Sequence, residues 1–88
     1  MSSTASQDTI RQQVRGYLAE NLARPVADDE DIFAAGLLNS LLMVQLVVFV
    51  ESAFELTVRT DELDRANFCS ADAITAFVAA KALADAPR

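Results

Sequence analysis

The chain has 88 residues and a mass of 9.5 kDa, the size of one small domain that buries a little over about 60% of its unfolded surface. Hydrophobic residues make up 52% and charged residues 23%, a globular composition and not a disordered one. Seven Lys and Arg stand against 13 Asp and Glu, a net charge of −6. That balance argues against nucleic acid and against an anionic membrane surface, and it suits a partner with a basic patch.

Histidine is absent and Cys69 is the one cysteine. A triad built on His is excluded, an internal disulfide is excluded, and the usual ligand set for zinc is missing, so no metal is expected. Cys69 reads as a small hydrophobe and not as a reactive thiol. The N-terminus lacks the basic and apolar regions of a signal peptide. The longest apolar run, residues 41–50, contains Gln45 and is far too short to span a bilayer. A cytoplasmic monomer without membrane insertion is expected, one domain over residues 1–88 with about 6–84 ordered.

In chain order, Ile10, Val14, Tyr17, Leu18 and Leu22 follow helical spacing and predict a first helix. Ser6 or Thr4 is the expected cap, Asp8 lies in the first turn, and Pro25 ends the helix. Residues 24–39 form a long connection holding Asp28, Asp29, Glu30 and Asp31, an acidic run expected to be solvated. Ile32, Phe33, Leu37 and Leu38 are expected to pin it to the core, with Gly36 at a turn needing positive φ. A loop this long is often functional.

Ser40 is expected to cap a second helix that runs to Phe54. Residues 55–60 alternate and read as an extended link. Thr60 is expected to cap a brief third helix through Phe68, with Asp61 and Glu62 in its first turn. Ser70 is expected to cap a fourth, which buries Ala71, Ile74, Phe77, Val78 and the alanines to Leu83. The fold class is thus all-α: a small antiparallel bundle of three longer helices and one short one, with a long loop between the first two.

Gly36-Leu37-Leu38-Asn39-Ser40-Leu41 places a serine at a helix start behind an acidic loop. With Asp31-Ile32-Phe33 before it, Val44-Gln45-Leu46 inside the helix and Glu51-Ser52-Ala53-Phe54 at its end, this resembles the acyl and peptidyl carrier proteins over roughly residues 8–84. The resemblance implies a carrier that is not itself an enzyme. Its Ser40 would be esterified by 4′-phosphopantetheine, with Asn39 and Leu41 flanking the attachment point, and the thiol would hold an acyl group as a thioester. A helix N-terminus suits the phosphodiester. Asn39 stands where most carriers have Asp, which removes a charge from the surface that a phosphopantetheinyl transferase reads.

Asn39-Ser40-Leu41 together with Asn67-Phe68-Cys69-Ser70 is similar to free-standing carriers of unusual polyketide or hybrid-peptide extender units, such as methoxymalonyl or aminomalonyl thioesters. That is the leading reading. It implies as partners a transferase, a loading enzyme, tailoring dehydrogenases and an acyltransferase or synthase. Residues 63–68 are also similar to D-alanyl carrier proteins, which makes an aminoacyl carrier the alternative. A second alternative is an unmodified helical adaptor.

A helical wheel from Ser40 places Met43, Leu46, Val47, Val50 and Phe54 on the core side and Leu41, Gln45, Val48 and Ser52 on the other. Leu42, Val44 and Phe49 fall at the margins. Leu41, Val44, Gln45 and Val48 are the expected partner contacts. Steering is expected from Asp28 to Asp31 and from Asp61, Glu62 and Asp64.

Overall fold

The computed structural model describes residues 7–84, so the expected caps Thr4 and Ser6 lie outside the described residues. Helix α1 spans Gln7–Asn21, α2 spans Ser40–Phe54, α3 spans Arg65–Phe68 and α4 spans Ala71–Ala84, with a 3₁₀ turn at Thr60–Glu62. The described residues contain no strand. The all-helical bundle of three longer helices and a short one is therefore as expected.

Its core takes one stripe from each element. Ile10, Val14 and Leu18 of α1 meet Leu46 and Val50 of α2, Phe68 of α3, and Ala71, Ile74 and Val78 of α4. Each large aliphatic side chain fully buried here contributes about 1.5–3 kcal/mol. Tyr17 of α1 stacks on Phe49 of α2 with centroids 4.3 Å apart, and Phe49 meets Phe54 edge-on at 5.9 Å. Partial burial of the Tyr17 ring raises its hydroxyl above the ordinary tyrosine range. On α4, Thr75 is buried without having been expected there; its hydroxyl donates to the Ala71 carbonyl at 2.7 Å, which satisfies the polar atom inside its own helix. The side chain of Leu83 lies outside the described residues.

The connection between α1 and α2 is anchored on both sides of its acidic run. Ile32 is fully buried and Leu38 nearly so, while Val26, Phe33 and Leu37 pack partly against the core. The Ile32 amide donates to the Cys69 carbonyl at 2.7 Å, and the Asp72 amide donates to the Asp28 carbonyl at 2.9 Å. The loop is thereby tied to the α3–α4 junction. Residues 31–36 form a closed turn. The Asp31 carboxylate accepts the Phe33 and Ala34 amides at its start. At its end the Leu37 amide donates to Ile32 and the Gly36 amide to Phe33, the paired bonds that close a helix through a left-handed residue. Gly36 is that residue, with φ +75°.

Two expectations about caps and breaks are corrected. Ser40 does not cap α2. Asn39 does, because its extended backbone (φ −113°, ψ −177°) lets its side chain accept the Leu42 amide, leaving Ser40 as the first helical residue. The third helix is not continuous from Thr60 to Phe68. It breaks at Leu63 (φ −77°, ψ 62°), and Asp64, extended, caps α3 by accepting the Ala66 amide at 2.9 Å. A short polar side chain that bonds the nearby backbone competes with helix continuation. In the link after α2, Arg59 is extended (φ −81°, ψ 159°) as expected, whereas Glu55 closes α2 at φ 52°, ψ 52°, and Thr60 is not a cap but the first residue of the 3₁₀ turn, which Arg59 precedes as cap.

These two left-handed positions carry opposite predictions. A Cβ at Gly36 meets nothing within 4 Å, so Gly36→Ala should cost about 1–2 kcal/mol from backbone strain alone. Glu55→Gly should stabilise by about 0.5–1 kcal/mol, since strain outweighs the extra unfolded-state entropy of glycine. Chemical denaturation of both variants beside the parent checks the two signs.

Candidate functional site

Ser40 sits at the exposed start of α2. Its position follows from the preceding residues: Leu38 is buried, Asn39 is extended, and the chain enters the helix at Ser40. Asn39 Oδ1 accepts the Leu42 amide at 2.9 Å and the Asn39 carbonyl accepts the Met43 amide at 2.8 Å. A cap of this kind contributes about 1 kcal/mol. The Ser40 hydroxyl and the amides of Ser40 and Leu41 have no hydrogen-bond partner among the described residues. An exposed hydroxyl thus lies beside two unpaired N–H groups at the positive end of a 15-residue helix. No acidic side chain occupies the first turn, so an anion joined to Ser40 meets no like charge there.

The wheel drawn from the sequence places most of α2 correctly. Leu46 and Val50 are buried, Met43, Val47 and Phe54 are partly so, and Gln45 and Ser52 are exposed. Val44 is corrected: instead of a margin it is as open as Leu41 and Val48, at 60% exposure against 65% and 54%. Leu63, at 49%, is the other large exposed hydrophobe among the described residues. Phe49 and Leu42 turn partly inward.

The acids expected to steer partners are mostly engaged within the chain. Arg15 donates to Asp28 through Nε at 2.7 Å, and Arg11 bridges Asp28 and Asp72. Arg24 pairs with Glu30, Arg65 with Asp31 at 3.3 Å, Arg59 with Asp61 at 2.8 Å and Lys81 with Glu62 at 3.0 Å. Each cation among the described residues is therefore paired. In the acidic run only Asp29 takes no partner among the described residues. The run looks like a solvated charge cluster in sequence because, apart from Arg24, its partners lie on other elements, at Arg11 and Arg15 of α1 and Arg65 of α3. Arg65 also lies over the Phe33 ring at 5.1 Å, a cation–π contact that helps hold the turn.

These contacts move four carboxyls the same way. The Arg15 hydrogen bond lowers the pKa of Asp28, the Arg24 bond that of Glu30, the Ala34 amide that of Asp31, and the Arg59 amide with Lys81 that of Glu62. Arg15 and Arg24 are raised correspondingly.

With the geometry in view, comparison with known proteins gives a consistent result. Residues 12–68 match the family model described as a phosphopantetheine attachment site. The chain is 36% identical over 67 residues to the D-alanyl carrier protein of Streptococcus mutans, covering 74% of this chain and 85% of that protein. It is 36% identical over 53 residues to the D-alanyl carrier protein of Lactococcus lactis subsp. cremoris, covering 60% of this chain and 67% of the relative. It also matches the carrier chain in the crystal structure of an engineered Bradyrhizobium japonicum glycine:[carrier protein] ligase complexed with carrier protein from Agrobacterium tumefaciens and ATP. There the TM-score is 0.71 and the identity 34%, over 81% of this chain and 97% of the matched one. The chain belongs to the phosphopantetheine-binding carrier protein family. Such a domain carries 4′-phosphopantetheine covalently on a serine and is acted on by other enzymes, among them a phosphopantetheinyl transferase and ligases.

The lowered carboxyls set a pH dependence. All four bind a proton less readily in the folded chain than in the unfolded one, whose carboxyls titrate near 4. The stability from these contacts is complete above about pH 5 and is lost as pH falls through about 4 and below. Thermal melts from neutral to acid pH should show that decline, smaller in Asp28→Asn. A parent equally stable at pH 3 and pH 6 would contradict it.

Proposed function

We propose that Ser40 is the serine that carries phosphopantetheine, and that the thioester holds an amino acid. The observation that carries the first part is a process of elimination. Within residues 12–68 the serines are Ser40 and Ser52. Ser52 lies in the last turn of α2, where unpaired carbonyls and the negative end of the dipole disfavour a phosphate. Ser40 lies in the first turn, exposed, beside free amides. Ser70, outside the matched span, is buried and its oxygen accepts the Ala73 amide at 3.0 Å.

Attachment joins Ser40 Oγ to the pantetheine phosphate of coenzyme A. Adenosine 3′,5′-bisphosphate leaves and the hydroxyl proton passes to a base on the transferase. The bound group supplies a thiol, and so an activated thioester, on a flexible arm. This chain presents the hydroxyl, fixes the helix start through Asn39 and provides a surface for partners. Catalysis rests with separate enzymes.

For the cargo, the relatives favour an amino acid over an extender unit: two are D-alanyl carriers, and the matched structure is a complex with a glycine ligase. The stretches behind the extender-unit reading also have local structural work that is independent of cargo. Asn39 caps α2, Asn67 donates to the Glu62 carbonyl at 2.9 Å, and Ser70 caps α4. The partners are then a transferase and an ATP-dependent aminoacyl ligase meeting Leu41, Val44, Gln45 and Val48, in the cytoplasm where coenzyme A and ATP are available. The dehydrogenases and acyltransferase belong to the extender-unit reading and go with it.

The test is to convert the chain to its phosphopantetheinylated form and offer it glycine or D-alanine with ATP and the matching carrier ligase. The expected outcome is a bound amino acid released by hydroxylamine and absent from Ser40→Ala. A modified chain that takes malonyl-type groups from coenzyme A but no amino acid would overturn the cargo assignment.

A further inference from the structure

We infer that Arg65, the first residue of α3, is a positioning residue for attachment at Ser40: it clamps the Asp31–Gly36 turn that sets where α2 begins. This rests on Ser40 being the attachment residue. The turn takes its shape from one carboxylate. Asp31 Oδ1 accepts the Phe33 amide at 3.0 Å and the Ala34 amide at 2.9 Å. Arg65 Nη2 donates to Asp31 Oδ2 at 3.3 Å and reaches Oδ1 at 3.5 Å, so it adds to those two bonds and replaces neither. A guanidinium there keeps the carboxylate ionised and aimed. The same group lies 5.1 Å from the centroid of the Phe33 ring.

One side chain thus grips the turn on both sides of Ile32, whose own amide donates to the carbonyl of Cys69, the residue that ends α3. Among the described residues these are the hydrogen bonds, ion pair and ring contact that join the turn to another element. All of them come from α3 and the residue that ends it. That short helix is itself fixed. Phe68 is fully buried and lies against Phe77 of α4 with centroids 5.2 Å apart, and the Asn67 side chain donates to the Glu62 carbonyl. The geometry makes α3 a strut, with Arg65 as its hold on the loop.

The turn hands its position to Ser40 through a short stretch of backbone. The Leu37 amide is held by the Ile32 carbonyl, and only Leu38 and Asn39 separate Leu37 from the serine. Few soft dihedrals remain between them. When the turn opens, Asn39 is free to swing, and its side chain and carbonyl release the Leu42 and Met43 amides that mark the helix start. The ion pair and the ring contact are partly exposed and weak, so losing them leaves the fold in place and makes this local opening more frequent. A transferase then meets a smaller fraction of chains with the serine in place, which raises KM and leaves kcat alone.

The test pairs amide hydrogen exchange, read by NMR, with kcat and KM for phosphopantetheine transfer from coenzyme A by a broad-specificity transferase. Arg65→Gln should speed exchange at Ala34, Leu37, Leu42 and Met43 about three- to tenfold and leave Val14 and Val78 within about twofold. It should raise KM about threefold or more with kcat within about twofold. Arg65→Lys keeps the charge and should recover most of the loss. Arg59→Gln removes the same charge from an ion pair outside the turn and should leave both readouts within about twofold of the parent. Asp31→Asn keeps an acceptor for the two amides but no charge, so it should match Arg65→Gln. The double variant should then be no worse than either single one, a coupling that a guanidinium touching the transferase directly would not show. Thermal melts establish that each variant is folded. Unchanged exchange at Leu42 and Met43 in folded Arg65→Gln would overturn the clamp, as would faster exchange with an unchanged KM, or additive losses in the double variant. If the folded parent is not modified at all, the attachment reading fails and this inference with it; a parent that is modified and does not respond to Arg65→Gln overturns the clamp alone.

Discussion

The presentation of Ser40 depends on how the connection between α1 and α2 is anchored. Eighteen residues separate Asn21 from Ser40, and a connection of that length has no reason to deliver its last residue to one place unless side chains and backbone hold it. Ile32 does both, with its side chain in the core and its amide on the Cys69 carbonyl. The Asp31–Gly36 turn then reverses the chain, Leu38 returns to the core, and Asn39 is left extended at the surface with its side chain over the first turn of α2. Loss of the Ile32 anchor would release both the acidic run and the start of α2.

The ion pairs serve the same end. Individually they are partly exposed and contribute little, but Arg11, Arg15, Asp28 and Asp72 link α1, the loop and the head of α4 in one group. The acids of the loop other than Asp29 are thus engaged in the fold, and α2 carries no charge along its first eleven residues. The family to which the chain belongs is one acted on by other enzymes.

Much of this was legible in the residues. The spacing of Ile10, Val14 and Leu18 places α1 unambiguously, and Ile32, Leu38 and Gly36 stand out in the loop because an acidic stretch has no other use for them. Capping was less legible: Asn39 and Ser40 are both good caps, and only the extended backbone of Asn39 decides between them. The break at Leu63 has the same cause, a choice between Thr60 and Asp64 that depends on local dihedral angles. The ion pairs that join separate elements were out of reach because their partners lie up to 61 residues apart, and the openness of Val44 because a wheel gives a side chain's angle and not the width of the covered face. Cargo was the least legible, since the arm separates it from the protein surface and the short stretches that suggested an extender unit are also caps.

Ser40, and no other serine, is proposed to bear the arm. The most direct measurement is fragmentation mass spectrometry of the intact protein after incubation with coenzyme A and a phosphopantetheinyl transferase, which locates the added mass among the six serines of the chain. One addition is expected, placed on Ser40. An addition placed on Ser52 or another serine, or a folded chain that takes none, would contradict it.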